Sequence, residues 1–188
     1  MINNEKLMLI WAGCLRNERK QQELLYKTLA PKMLAVCIRY TNNDKDEAQD
    51  ILQEGFIKIF RNATNYRGEG SLEGWIRRIM VHAAISRYRH LKPMVLMEDM
   101  SDNVFTLNAG YQNVNLEAKD LLKMIQQLPA LYRNVFNMYA IEGYSHQEIS
   151  TALGISELSS RTNLHRARGI LKEKLYKLEA KEMCAMAG

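Results

Sequence analysis

The sequence predicts an all-α fold, two small helical domains joined by a flexible linker. Apolar residues recur at helical spacing almost throughout, and no period-two alternation competes with them. Only three prolines and ten glycines interrupt 188 residues, so long helices can form. The helical period fails in one place, residues 94–115, and that stretch separates two basic regions. Residues 1–94 carry a net charge of +6, residues 95–120 of −4 and residues 121–188 of +3. The expected organisation is therefore a first domain over 1–93, a linker over 94–115 and a second domain over 116–188. An apolar fraction of 47% supplies enough core to exclude disorder of the whole chain.

The elements follow in order. Leu7 to Cys14 reads LMLIWAGC, which loosely resembles a lipoprotein cleavage site. The apolar run is short, Trp11 is bulky where such sites take a smaller aliphatic residue, and Glu5 dilutes the basic start. An amphipathic helix with Leu7, Ile10, Trp11 and Cys14 on one face is expected instead, and no export. The three cysteines, Cys14, Cys37 and Cys184, have no metal-type spacing, and an odd count suits a reducing compartment. No stretch approaches the ~20 apolar residues of a membrane span.

Leu24, Leu25, Leu29, Leu34, Cys37 and Ile38 suit one or two helices around Pro31. Ala48, Ile51, Leu52, Gly55, Phe56, Ile59 and Phe60 form a regular apolar stripe on a helix over 44–61. Its other face presents Asp44, Asp46, Glu47, Asp50, Gln53 and Glu54, with Ile57 among them. Two readings of this face stand side by side: an ordinary solvated acidic surface, or a dock for a basic protein surface with Ile57 in a small apolar pocket.

Trp75, Ile76, Ile79, Met80 and Ala83 open the next helix, where the charge reverses. Between Glu73 and Glu98 there is no acid, but there are Arg77, Arg78, Arg87, Arg89, Lys92, His82 and His90, with Trp75 and Tyr88. Cations interleaved with aromatics suit single-stranded or melted nucleic acid, cations on phosphates and rings on bases. Trp75 alone reads as core; Tyr88 is the better stacking candidate.

The helical period returns at Leu116 and holds to about Leu178. Pro129 fits the first turn of a helix and Gly143 a helix end. Ser145 and Glu148 form a capping box, Ile149 and Leu153 face a core, Gly154 permits a tight turn, and Ser156 caps a second helix from Glu157. This is a helix-turn-helix, whose second helix can enter the major groove of DNA. From Arg161 to Lys177 that helix carries a net charge of +5, which suits phosphate neutralisation.

Catalytic motifs are missing: no HExxH, no glycine-rich phosphate loop, no GxSxG. His82, His90, His146 and His165 are scattered over basic helices, where surface or phosphate contact is commoner than metal ligation.

Together the pieces resemble an extracytoplasmic-function (ECF) sigma factor of the bacterial sigma-70 family. DEAQDILQEGFIKIFRN resembles the region-two helix that binds the clamp helices of the RNA polymerase largest subunit. GSLEGWIRRIMVHAAISRYRH resembles the part that melts and reads the minus-ten promoter element. LPALYRNVFNMYAIEGYSHQEISTALGISELSSRTNLHRARGIL resembles region four, which reads the minus-thirty-five element. The resemblance implies core-polymerase contacts at Asp50, Ile51, Gln53, Glu54 and Ile57. It implies minus-ten contacts at Arg77, Arg78, His82, Arg87, Tyr88 and Arg89. It implies minus-thirty-five contacts at Ser159, Ser160, Arg161, Thr162, His165 and Arg166. It further implies a cytoplasmic transcription factor that is not an enzyme, with no cofactor or metal, whose partners are core RNA polymerase, promoter DNA and an anti-sigma factor. The chain departs from the family pattern at His82, often Asn, at Ser86, often Asp, and at Leu158, which replaces the glycine of SEGT. A stand-alone helix-turn-helix regulator would explain the C-terminal half but not the acidic helix or residues 75–92. A nuclease would need a metal-carboxylate constellation.

Overall fold

The computed structural model describes residues 4–91 and 118–186; every element there is helical, with no strand among the described residues. The chain divides into two compact units, Met1–Leu91 and Lys92–Gly188. The linker expected over 94–115 lies outside the described residues.

In the first unit, helix α1 (Asn4–Leu15) buries Leu7, Ile10, Trp11 and Cys14 at the expected spacing. A left-handed turn at Asn17 leads into α2 (Arg19–Ile38). Pro31 does not divide α2; one continuous helix runs through it. Its inward residues are Leu25, Leu29, Met33, Val36 and Cys37, whereas Leu24, expected inside, is exposed. The face is set by the four-residue step from Leu25, which turns Leu24 outward. Cys14 and Cys37 are free thiols, and burial pushes the first up to about 11 and the second to about 12, so neither forms a thiolate at neutral pH.

Asp44 caps α3 (Lys45–Arg61), its Oδ1 accepting from the N–H groups of Asp46 and Glu47 at 3.0 Å each. Lys58 and Arg61 complement the dipole at its other end. The helix buries Ala48, Ile51, Leu52, Gly55, Phe56 and Ile59. A 3-10 turn at Ala63–Asn65 and a glycine-containing loop lead to α4 (Leu72–Leu91), whose start is tied by Ser71 Oγ accepting from Gly74 N–H. Leu72, Ile76, Met80, Val81, Ala83, Ala84 and Ile85 of α4 join the core. Helices α3 and α4 approach closely where Gly55 faces Met80. A Cβ on Gly55 would collide with the methionine sulfur and lie 2.9 Å from its Cε.

In the second unit, α5 (Ala118–Gln126) is followed by α6 (Ala130–Phe136). Pro129 sits one position before the helix, as its cap, rather than in its first turn. Arg133, almost fully buried, donates to the carbonyls of Gln126 and Leu128 at 3.0 and 3.2 Å, closing the C-terminus of α5. A π-helical turn, Asn137–Ile141, extends α6. Gly143 then stops the chain with φ +77°. Helix α7 (His146–Leu153) opens on the complete Ser145–Glu148 capping box and ends at Gly154. Gly154 has φ +70°, a left-handed conformation that costs glycine little. Ser156 Oγ accepts from Ser159 N–H at 3.0 Å and caps α8 (Glu157–Met186). Helix α8 packs on α5, α6 and α7. Met124, Ile125 and Leu128 meet Ala167 and Leu171 of α8, and Tyr132, Phe136 and Ile170 close over them.

Candidate protein and nucleic-acid interfaces

Three surfaces hold the residues singled out by sequence. On α3, Asp50, Gln53, Glu54 and Ile57 are exposed and follow each other at helical spacing, so they share one outward stripe. Ile57 is 50% exposed in the midst of charge. Glu54 pairs with Lys58 at 2.6 Å. Ile51 does not belong to this surface: at 2% exposure it lies in the core, because it sits on the side of α3 that carries Ala48, Leu52 and Phe56.

The basic residues of α4 do not form one face. Arg78, His82 and Arg89 are exposed and share a stripe. Arg77 and Tyr88 are half-buried on a flank, and Arg77 lines an open depression of about 440 Å³ with Asn4, Leu7, Ser71, Glu73 and Gly74. Arg87 points the other way, half a turn around the helix from Arg78. Its Nε lies 3.9 Å from Glu47 Oε1, and its Nη2 lies 4.0 Å from Asp50 Oδ2. This arginine therefore faces the acidic helix rather than the stripe of Arg78, His82 and Arg89. Trp75 packs edge-on against Trp11 at 5.6 Å and tilted against Tyr66 at 5.6 Å, so its ring is structural, as read. Sequence reasoning passed over the loop between Tyr66 and Ser71, where Tyr66 donates its hydroxyl to Gly70 O and Arg67 and Glu69 are exposed.

The third surface is the helix-turn-helix of α7 and α8. Ser160, Asn163, Leu164, Ala167 and Leu171 of α8 face inward. Leu158, Arg161, Thr162 and His165 face outward. Arg161 is braced by Glu157 at 3.3 Å. Arg166 is half-buried on the flank of this stripe, and Ser159, also half-buried, accepts from Asn163 Nδ2 at 3.3 Å. Ser160 leaves the expected DNA-contacting set. It is 0% exposed, and its Oγ is 2.9 Å from Nδ1 of His146, the first residue of α7.

That hydrogen bond belongs to a longer stack. The His146 ring lies parallel to Tyr139 of the π-helical turn, centroids 4.6 Å apart, and the Arg168 guanidinium sits 5.7 Å from the Tyr139 ring centre. Burial, followed by the charge of Arg161, lowers the His146 pKa from its ordinary value; Glu157 opposes and Arg168 adds to the shift. Further along α8, Lys174 donates to Gln127 Oε1 at 2.7 Å and so ties α8 to the end of α5. The sequence held no sign of the stack, because its partners come from three elements and meet only when the π-helical turn rotates Tyr139 onto α7.

Among the described residues no cluster of His, Cys, Asp and Glu could hold a metal ion, and no helix is long and apolar enough to cross a membrane.

A model of sigma-70 region 2 matches residues 25–93, and a model of sigma-70 region 4 matches residues 118–171. The chain is 32% identical over 143 residues to the RNA polymerase sigma factor SigZ of Bacillus subtilis, covering 76% of this chain and 80% of SigZ. It is 30% identical over 160 residues to the ECF RNA polymerase sigma factor SigE of Mycolicibacterium smegmatis, covering 81% of this chain but 61% of that longer protein. In fold it is similar to the sigma factor RpoE of Bartonella quintana, solved with the anti-sigma factor NepR, at a TM-score of 0.51 and 21% identity, over 82% of this chain and 96% of that one. With both region models matched in order and a third of the residues shared with SigZ over most of both chains, the protein belongs to the ECF sigma factors of the sigma-70 family.

Proposed function

We propose that this chain binds core RNA polymerase through the outward stripe of α3 and directs it to promoters whose two elements are read by α4 and α8. Residues 1–93 form the polymerase and minus-ten module, 94–115 the linker, and 116–188 the minus-thirty-five module. Asp50, Gln53, Glu54 and Ile57 meet the clamp helices of the largest subunit. Arg78, His82 and Arg89 follow the displaced strand at the minus-ten element, with Arg77 and Tyr88 beside them. Arg161, Thr162 and His165 face the major groove at the minus-thirty-five element, with Arg166 and Ser159 at its phosphate edges. The protein performs no catalysis itself and works in the cytoplasm. Its regulator is an anti-sigma factor, the class of partner with which RpoE was solved.

The observation that carries this reading is Ile57, half-exposed at the centre of an acidic stripe. An isoleucine set beside Gln53 and Glu54 suits a protein dock, in which an apolar contact is ringed by polar ones. Fully burying an isoleucine contributes about 1.5–3 kcal/mol, and docking can bury only the half of Ile57 that is still exposed, about 0.8–1.5 kcal/mol. Replacing Ile57 by Asp removes that contribution and should weaken core-polymerase binding by roughly 4- to 12-fold. The helix should stay intact, since Ile57 touches solvent. Titration of labelled core polymerase with wild type and Ile57→Asp tests this, and equal affinities would reject α3 as the dock.

A further inference from the structure

Leu158 is 74% exposed, more than any other large apolar side chain among the described residues of the second unit. Its position is fixed by two constraints. The Ser156 cap sets the first turn of α8, and the inward residues Ser160, Asn163, Leu164 and Ala167 set the helix rotation. At 100° per residue the direction opposite that inward face runs through Leu158 and, two turns on, His165, with Arg161 and Thr162 on either side. The most outward side chain at the leading end of the recognition helix is therefore apolar, flanked by the ion-paired Glu157 and Arg161. Among the described residues of its own unit, nothing covers it.

We propose that Leu158 is a specificity-determining residue that packs against the 5-methyl group of a thymine in the minus-thirty-five element. The proposal rests on the reading of α8 as the helix that enters the major groove. The leading residues of such a helix meet base edges. Of the groups that the four bases display in that groove, the thymine methyl is the apolar one, and the rest are donors and acceptors. An exposed leucine gains from the methyl and gains nothing from a cytosine amino group or a guanine carbonyl. Leu158 and Arg161 are about 4.5 Å apart along the helix axis, close to one base-pair step, so the thymine lies within one or two base pairs of the base that Arg161 reads.

The test uses the holoenzyme reconstituted from the full-length chain and core polymerase. A binding-site selection first gives the minus-thirty-five sequence. Each thymine in it is then replaced by uracil, which lacks only the methyl. At one position, within two base pairs of the base whose preference is lost in Arg161→Ala, uracil should weaken wild type by roughly fourfold, the worth of one buried methyl group. Leu158→Ala should bind the thymine site about as weakly as wild type binds the uracil site, and should no longer tell the two apart. Thermal unfolding of Leu158→Ala should match wild type, since the side chain is exposed. A selected motif that depends on Arg161 but shows no uracil effect, or the same effect in both proteins, overturns the role of Leu158 and leaves α8 as the reader. A motif that Arg161→Ala leaves intact removes the reading of α8, and this proposal with it. Weaker hold on core polymerase with unaltered base preference would assign Leu158 to a protein contact and overturn the proposal as well.

Discussion

Replacing His146 by Ala should destabilise the second unit more than replacing Ser160 by Ala, although the two side chains share one hydrogen bond. The asymmetry comes from burial. Ser160 is 0% exposed in the fold, and in His146→Ala its hydroxyl loses the ring nitrogen that bonds it. A buried polar group left unsatisfied costs about 1–3 kcal/mol. The His146→Ala variant also loses the 4.6 Å stack on Tyr139. An aromatic pair of this kind contributes about 0.5–1.5 kcal/mol. His146 itself is only half-buried, so in Ser160→Ala its ring nitrogen can bond to water. The loss is then that of an ordinary hydrogen bond, about 0.5–1.5 kcal/mol. The double variant removes the stranded hydroxyl together with its partner and should cost less than the sum of the single changes.

The two tryptophans, Trp11 and Trp75, both lie in the first unit, which makes the assay selective. In urea unfolding, tryptophan fluorescence follows the first unit and should show the same midpoint in all variants. Far-ultraviolet circular dichroism follows both units and should show the second melting earlier in His146→Ala. Ser160→Ala equal to or worse than His146→Ala, or strict additivity, would refute the account. Acid offers a further check. The folded-state pKa of His146 lies below its ordinary value of 6.5, through burial first and then Arg161. The unfolded chain therefore takes up this proton at a higher pH than the folded one does. The stability from neutral His146 is complete above about pH 6.5 and is lost as pH falls through the lowered value. Glu157 and Arg168 of α8 modulate the charge at the ring, and Tyr139 stacks on it. His146→Ala should lack this part of the acid sensitivity.

Gly55→Ala forces a methyl group against Met80, which is itself fully buried. Overpacking costs about 1–3 kcal/mol and the gain in helix propensity returns about 1, so tryptophan-monitored unfolding should show a net loss; Met80→Ala alone costs about 2–5 kcal/mol, and Gly55→Ala added to it should cost less than it does in the wild-type chain. In binding to a single-stranded minus-ten oligonucleotide, Arg78→Ala and Arg89→Ala should each lower the salt slope by roughly one unit, whereas Arg87→Ala should leave it nearly unchanged. Equal slopes for all three would put Arg87 back on the strand-binding face.

The parts of the fold that were legible are those where one chemical property repeats along one helix. The stripe from Ala48 to Ile59, the inward face of α1 and the capping box at Ser145 depend on neighbours three or four residues away, and the sequence displays them directly. What escaped depends on a partner from another element. Ser160 is a polar residue with no sequence sign of burial, and it is hidden because His146 supplies the bond it needs. Arg87 stands in a run of cations, and composition groups it with them. Yet helix rotation separates it from Arg78, and Glu47 and Asp50 on α3 attract it. Leu158 was visible as a departure from a family pattern. Its significance emerges only once the rotation of α8 puts it outermost.

Arg87 also decides which variant can test the polymerase dock. Its contacts to Glu47 and Asp50 are long, 3.9 and 4.0 Å, and Asp50 is 67% exposed, so they contribute little to stability. They do couple the acidic face of α3 to the last turns of α4. Reversing the charge of Asp50 would set a lysine beside Arg87 and disturb α4 as well as the dock. Loss of promoter opening in such a variant would then have two causes. Ile57 and Glu54 lie further along the same stripe, and Glu54 is paired within its own helix to Lys58. A change at Ile57 therefore alters the proposed docking surface without altering the charge around Arg87. If Ile57→Asp weakens core binding while binding of the free chain to the minus-ten oligonucleotide is unchanged, the two faces act separately, although one arginine lies between them.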